Sequence, residues 1–162
     1  MSYKLIQELL NDLENSVDED YAREKAEEAG VSVDRRMRIL KVDEREKAVE
    51  VLRLQDFYTD LQRSILDNVG SFFGYTHAVA RARGSPLRID ADGDVSDFYG
   101  KGDLATEMLI QELEEEFGTK VIDRRLRNTL MDSTSDRMAG LLPERVREPE
   151  SSTEGFWKTL FG

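Results

Sequence analysis

Apolar residues recur at alternating steps of three and four along the middle of the chain, and this spacing constrains the fold more than any other feature. The stripe consists of Val51, Leu54, Tyr58, Leu61, Ile65 and Phe72, with the polar Asn68 at the remaining step. These are the a and d positions of about three heptads, which lie on one side of an α-helix. We therefore predict a long central helix from about Asp43 to Gly70, and we assign the stripe to helix packing or to contacts between copies in an oligomer.

The same periodicity predicts helices on both sides of the central one. Ser16 and Glu19 have the spacing of a capping box and predict the start of the second helix, and Gly30 predicts its end. The helices predicted outside the centre span residues 2–15, about 17–29, 103–118 and 119–130, with a short turn at 138–142. Residues 31–42 fit either a short strand or a helix, and residues 90–102 have the composition of a loop. The sequence contains no internal repeat that we can identify.

These elements predict a mainly α fold, a bundle of five or six helices around a long central helix with one possible short β-hairpin. The helical domain should occupy residues 1–142. Residues 143–162 should form a flexible tether and a C-terminal aromatic docking peptide, because the tether is rich in Pro, Ser and Glu. The chain is thus expected to consist of one folded body and one extended arm.

Composition narrows the class of protein. The chain has 34 acidic residues against 23 lysines and arginines, and its net charge of −11 repels nucleic acid and acidic membranes at long range. It has no cysteine and a single histidine, His77, which excludes thiolate and multi-histidine metal sites. No uncharged stretch approaches the length of a membrane span, and the N-terminus lacks the pattern of a signal peptide. We expect a cytoplasmic, non-enzymatic protein without a cofactor, because no nucleophile and base occur together in a recognisable motif.

Residues 26–41 resemble a helix-turn-helix. A small residue, Ala26, precedes the turn residue Gly30, and Arg35, Arg36 and Arg38 follow on what would be the second helix. The resemblance implies a small DNA-binding regulator or packaging protein. It departs from the usual pattern in one place, since Arg36 occupies a position that is normally apolar. A helix that ends at Gly30, followed by a solvated cationic segment, explains the same residues.

Two further charged clusters have both a functional and an ordinary interpretation. Arg124, Arg125 and Arg127 could contact an acidic partner, including another copy of this chain, or pair with neighbouring carboxylates. The second cluster, Asp90, Asp92 and Asp94, has the first three ligand positions of a calcium loop. That loop also needs a glycine and a glutamate, at places taken here by Val95 and Lys101. We therefore regard the three aspartates as a weak candidate metal site, because ordinary turn chemistry explains them equally well.

The C-terminal peptide carries the most distinctive functional signal. Phe156, Trp157, Leu160 and Phe161 are spaced so that they would share one side of a short helix, and they follow a polar tether. Large aromatic side chains are costly to expose to water and are typical anchors of protein interfaces. The tail could also fold back on its own domain. We favour docking into a groove of another subunit.

A helical body with a gripping C-terminal arm resembles, in general plan, the small helical connector proteins of tailed-virus necks. The likeness is architectural and rests on no diagnostic motif. It implies an adaptor or head–tail connector within a larger, ring-shaped complex, located in the virion rather than free in the cytoplasm. The expected partners are proteins, including further copies of this chain, and neither nucleic acid nor membrane is expected to bind.

Overall fold

The structure, a computed structural model, describes residues 3–143 and residue 146. Over this range the chain forms seven α-helices, two β-hairpins and one 3₁₀ segment. In chain order these are α1 (Lys4–Ser16), α2 (Glu19–Glu28), β1 (Val31–Val33), β2 (Ile39–Val42), α3 (Arg45–Leu52), α4 (Gln55–Phe73), α5 (Tyr75–Ala82), β3 (Leu87–Ile89), β4 (Val95–Phe98), α6 (Gly102–Phe117), α7 (Thr119–Ser133) and the 3₁₀ segment (Asp136–Leu141). The prediction of a mainly helical fold is confirmed.

The predicted central helix is in fact two helices. The chain leaves helical geometry after α3 and re-enters it at α4, and Leu54 between them adopts the left-handed conformation with φ of 54°. That conformation costs a non-glycine residue about 1–2 kcal/mol. The buried side chain of Leu54 offsets this cost by packing in the core. The heptad spacing continues across the break, so periodicity alone could not reveal it.

The apolar stripe packs mainly inside the protein that carries it. Leu54, Tyr58, Leu61 and Ile65 are buried in the common core, and Val51 is partly buried against it. Phe72 is different, because 56% of it is exposed at the last turn of α4. Packing within one chain therefore accounts for the stripe up to residue 65, whereas Phe72 lies mostly outside the core.

Local chemistry explains the other differences from the predicted boundaries. Asp18, two residues after Ser16, is the N-cap of α2, and its carboxylate accepts the backbone N–H of Tyr21 at 2.7 Å. Residues 31–42, which fitted either a strand or a helix, form the first hairpin. Part of the loop predicted at 90–102 is instead the second strand of another hairpin. The fold thus has two hairpins where at most one was expected.

The order helix, helix, hairpin, helix occurs twice, and equivalent residues of the hairpins lie 56 positions apart. In the first unit (α1 to α3), Val31 pairs with Val42 and Val33 with Ile39. In the second unit (α4 to α6), the corresponding pairs are Leu87 with Phe98 and Ile89 with Val95. Both hairpins have a register irregularity at the same step. The conclusion from the sequence that there is no internal repeat is therefore wrong for the structure.

Side-chain roles also repeat at the same spacing. Gln7 of α1 accepts the backbone N–H of Ile39 at 3.0 Å, and its amide donates to a carbonyl in the same turn. Its counterpart Arg63 of α4 donates to the carbonyl of Val95 at 3.0 and 2.7 Å. Each unit thus ties its first helix to its hairpin at the equivalent strand residue. Different side chains perform this function, which is why the repeat is hard to see in the sequence.

The C-terminal elements close both units. Helix α7 packs against α4 and α6, and the 3₁₀ segment packs against α1. The hydroxyl of Tyr58, near the start of α4, donates to the carbonyl of Leu141 at 2.9 Å. Residues of both units belong to one apolar core. None of the helices in the described range combines the length and apolar character needed to cross a bilayer.

Candidate interaction surfaces

The cations predicted to lie on a recognition helix lie instead at the tip of the first hairpin. Arg35, Arg36 and Arg38 are exposed there, and the element that directly follows α2 is strand β1 rather than a second helix. The carboxylate of Asp34 accepts the backbone N–H groups of Arg36 and Arg38 at 2.8 and 2.9 Å, which fixes a turn. These hydrogen bonds hold the pKa of the Asp34 carboxyl below its usual value, and the bond from Arg38 has the larger effect. The helix-turn-helix interpretation of residues 26–41 is wrong, because this turn and the alternating apolar residues favour strands.

The three arginines of α7 do not form one patch. Arg124 is exposed, whereas the side chain of Arg127 is largely buried and lies 3.7 Å from the carboxylate of Asp123. The guanidinium of Arg125 lies over the ring of Phe72, in a cation–π contact between α7 and α4. Arg127 thus pairs with a neighbouring carboxylate, as the ordinary interpretation of the cluster predicts.

The aspartates of the second hairpin shape a turn. The carboxylate of Asp90 accepts the backbone N–H groups of Asp92 and Asp94, both at 3.0 Å, as Asp34 does in the first hairpin. One carboxylate of the candidate calcium loop is therefore engaged in holding the backbone. Within residues 3–143 no three histidine or acidic side chains gather closely enough to hold a metal ion.

A cluster of aromatic side chains lies where α4, α5 and α6 meet. This cluster, named here the α4–α5 corner, comprises Phe72, Phe73, His77 and Phe117, whereas the hydroxyl of Tyr75 donates to the carbonyl of Gly93 in the second hairpin at 3.0 Å. The rings of Phe73 and Phe117 stack with centroids 4.4 Å apart, and the imidazole of His77 lies 5.3 Å from the ring of Phe117. Nε2 of His77 is 2.7 Å from a carboxylate oxygen of Glu116. His77 thus belongs to a surface aromatic cluster and faces one carboxylate.

The α4–α5 corner is open to solvent and has charged groups of both signs beside it. Phe72 is 56% exposed, and the side chain of His77 is 58% exposed. Arg125 of α7 lies on Phe72, and the carboxylate of Glu116 lies beside His77. Aromatic residues and arginine are enriched in protein interfaces. The corner therefore has the composition of an interaction surface.

Sequence reasoning did not identify this corner, because Phe117 of α6 is distant in the chain from the residues of α4 and α5. The only local signal was the density of aromatic residues at 72–77. Gly74, between α4 and α5, adopts φ of 95°, which glycine tolerates and other residues rarely do. The resulting sharp turn brings Phe72 and Tyr75 to the same end of the molecule.

A cavity of about 140 Å³ lies between the two units. At its edge the ammonium of Lys101 donates to the carboxylate of Asp12 at 2.9 Å, and this bond raises the pKa of Lys101. Arg53, also in the lining, donates to the carbonyls of Phe98 and Gly100 at 2.7 and 3.2 Å. The cations of the cavity thus already have protein partners. The cavity is a gap in the packing between the two units.

The predicted docking residues Phe156, Trp157, Leu160 and Phe161 lie outside the described residues. Residue 146, the last described residue before them, is a valine with 5% exposure, and it belongs to the apolar core. The start of the tail is therefore anchored on the folded body. Comparison with protein families, with curated proteins and with solved structures finds no match to this chain.

Proposed function

We propose that the protein is a non-enzymatic assembly protein, a helical adaptor that binds a neighbouring subunit through its C-terminal tail. The observation that carries the proposal is the tail sequence, with Phe156, Trp157, Leu160 and Phe161 within six residues after an acidic tether. Burying each such side chain contributes about 1.5–3 kcal/mol. Four of them together contribute about 6–12 kcal/mol, which is of the same size as the cost of association, about 4–15 kcal/mol.

The anchored start of the tail supports this role. Val146 is buried, so the remaining tether starts from a defined point on the body. A tail fixed at its root has a higher effective concentration at a neighbouring subunit than a free peptide would have. In its most specific form, the proposal is a connector in a ring-shaped complex such as the neck of a virion, with several copies arranged around one axis.

The mass of the protein in solution tests the proposal. The full-length chain should form oligomers, and a chain that ends at Thr153 should be monomeric by light scattering. A full-length chain with Trp157→Ser and Phe161→Ser should behave like the truncated chain, whereas Thr159→Ser, a matched change in the same segment, should have no effect. An unchanged mass after the truncation would refute the role of the tail.

No observation favours DNA binding as a second function. The segment that would carry it, residues 26–41, contains one helix end and a hairpin, and the net charge of −11 opposes approach to a phosphate backbone.

A further inference from the structure

The turns of the two hairpins, residues 34–38 and residues 90–94, have the same backbone hydrogen bonds. In each turn the backbone N–H of the first residue donates to the carbonyl of the fifth at 2.9 Å, and the N–H of the fourth donates to the carbonyl of the first at 3.1 Å. The carboxylate of the first residue, Asp34 or Asp90, accepts the N–H groups of the third and fifth residues. The two turns therefore present their side chains in the same arrangement.

The exposed side chains at equivalent positions of the two turns have opposite charges. The third and fifth residues are Arg36 and Arg38 in the first turn, and they are Asp92 and Asp94 in the second. All four are exposed, and the exposed Arg35 adds a further cation to the first turn. The first is named here the cationic turn and the second the acidic turn.

The neighbouring charged groups preserve this contrast. Beside the cationic turn, the guanidinium of Arg23 donates to two backbone carbonyls of the turn and pairs with Glu19 at 3.1 Å, so this pair adds no net charge. Beside the acidic turn, Arg83 donates to two backbone carbonyls at 3.1 and 2.9 Å. Three arginines and one aspartate give the cationic turn a net charge of +2. Three aspartates and Arg83 give the acidic turn a net charge of −2.

The charges of the two turns are not paired within one molecule. Among the residues that the structure describes, Arg81 and Arg137 are examples of arginines that pair with carboxylates. In the same part of the chain, no ion pair involves an arginine of the cationic turn or an aspartate of the acidic turn other than the backbone-bonded first residues. Gln7 of α1 and Arg63 of α4 hold the two hairpins on their separate units. An acidic turn that reaches the cationic turn must therefore come from another copy.

The cationic turn is held in its conformation against a local cost. Its fourth residue, Met37, adopts φ of 65°, which is unfavourable for a non-glycine residue, whereas the equivalent residue of the acidic turn is Gly93. The side chain of Met37 is buried, and its carbonyl accepts a hydrogen bond from the Gln7 side chain at 2.9 Å. These contacts fix the turn before any partner binds. A surface that is already ordered loses little conformational entropy on binding.

We infer that the cationic turn of one copy contacts the acidic turn of a second copy. The inference goes beyond the proposed function, because the contact involves no residue of the tail. Exposed ion pairs contribute little affinity one at a time, so the contact mainly sets the orientation of neighbouring copies and the rate at which they associate. It joins two different surfaces, so it repeats from copy to copy and builds a ring or a chain.

Crosslinking between the two turns tests the contact directly. The chain has no cysteine, so a single introduced thiol reports on one turn. Two full-length reporters carry Arg35→Cys in the cationic turn and Ala91→Cys at the equivalent, exposed place in the acidic turn. With a short thiol-reactive crosslinker, their mixture should give about tenfold more dimer than either reporter alone, the ratio that two or more ion pairs support. In about 1 M salt, where the Debye length is about 3 Å, the excess should vanish.

Charge reversal shows whether the pairing of opposite charges produces the crosslink. Adding Arg36→Asp and Arg38→Asp to the first reporter should abolish the excess of dimer. Adding Asp92→Arg and Asp94→Arg to the second reporter as well should restore it. Each reversal places side chains that the other turn already carries in the same backbone arrangement, so both variants should fold, and circular dichroism checks this.

A matched control reverses two cations elsewhere. Lys120→Asp and Arg124→Asp, at exposed positions of α7, should leave the yield of the first reporter in the mixture unchanged. Equal yields from the mixture and from the single reporters would overturn the inference, and so would a doubly reversed pair that does not recover. Suppression of the crosslink by an equimolar DNA duplex would assign the cations to a phosphate backbone and would also overturn it. The proposed function of the tail would survive each of these results.

Discussion

Replacing Gly102 with alanine should be among the most damaging small substitutions in this protein. Gly102 is the first residue of α6 and is buried against the flat side of the Tyr58 ring. An added Cβ atom would lie 2.6 Å from Cε2 of Tyr58 and would overlap two other ring atoms. The ring cannot turn away freely, because Phe57 and Phe98 flank it with centroids 5.1 and 5.9 Å away.

The magnitude follows from these contacts. Forcing a methyl group into a packed core costs about 1–3 kcal/mol. A shift of the ring also breaks the hydrogen bond from the Tyr58 hydroxyl to Leu141, which contributes about 0.5–1.5 kcal/mol. Alanine leaves the unfolded chain fewer conformations than glycine does, and this effect offsets about 0.4–1 kcal/mol of the lost stability. We therefore expect Gly102→Ala to lower the free energy of unfolding by about 0.5–4 kcal/mol, with a central value of about 2 kcal/mol.

Urea denaturation followed by circular dichroism measures this loss as a shift of the midpoint at constant slope. Gly84→Ala is the matched control, because its Cβ atom would meet the flexible carboxylate of Glu112 at 3.1 Å and make an ordinary contact with the carbonyl oxygen of Arg81 at 3.4 Å. Adding Tyr58→Ala to Gly102→Ala should remove most of the extra cost, since the two sites are in contact. Equal midpoints for the two glycine variants would refute the packing argument.

Three further substitutions test other parts of the structure. Gln62→Met should raise the free energy of unfolding by about 1 kcal/mol in a urea titration, because removing the buried, unpartnered Oε1 gains about 1–3 kcal/mol and losing the bond from Nε2 to Thr106 costs about 0.5–1.5 kcal/mol. The hydrogen bond from Arg137 lowers the pKa of Asp18 below 3.8, so their interaction stabilises the protein above that pH and is lost as the pH falls. The difference in melting temperature between wild type and Asp18→Asn should therefore be present at pH 7 and shrink as the pH falls below 3.8. Asp34→Ala should speed amide hydrogen exchange at Arg36 and Arg38, and unchanged rates would contradict the assigned turn.

The sequence predicted most of the helices, because their apolar periodicity is a local property. It did not predict the break at Leu54, since the left-handed residue is compensated by burial that depends on the whole fold. The repeat was missed for a related reason. Gln7 and Arg63 hold equivalent strands with different chemistry, so the two units share geometry and burial with little residue identity. The sequence offered one signal of the repeat. Asp34 and Asp90 each follow a short stretch in which apolar and polar residues alternate.

The candidate surface was predictable only in part. The tail was recognisable from its composition, because four large apolar residues follow an acidic tether. The corner required coordinates, since Phe72 looked like the end of a buried stripe and Phe117 like one face of another helix. The cations of residues 35–38 were assigned to a helix, although they lie in a turn that the side chain of Asp34 stabilises. In a single sequence, the residues of such a hairpin turn resemble those of a helix-turn-helix.

The double role of α4 has a consequence for how the protein unfolds. This helix follows α3 as α7 follows α6, and it also opens the second unit. A cut between α3 and α4 would separate the first unit from the helix that follows it, and both units contribute side chains to one apolar core. Heat or denaturant should therefore disrupt both halves in a single cooperative transition, despite the modular look of the architecture.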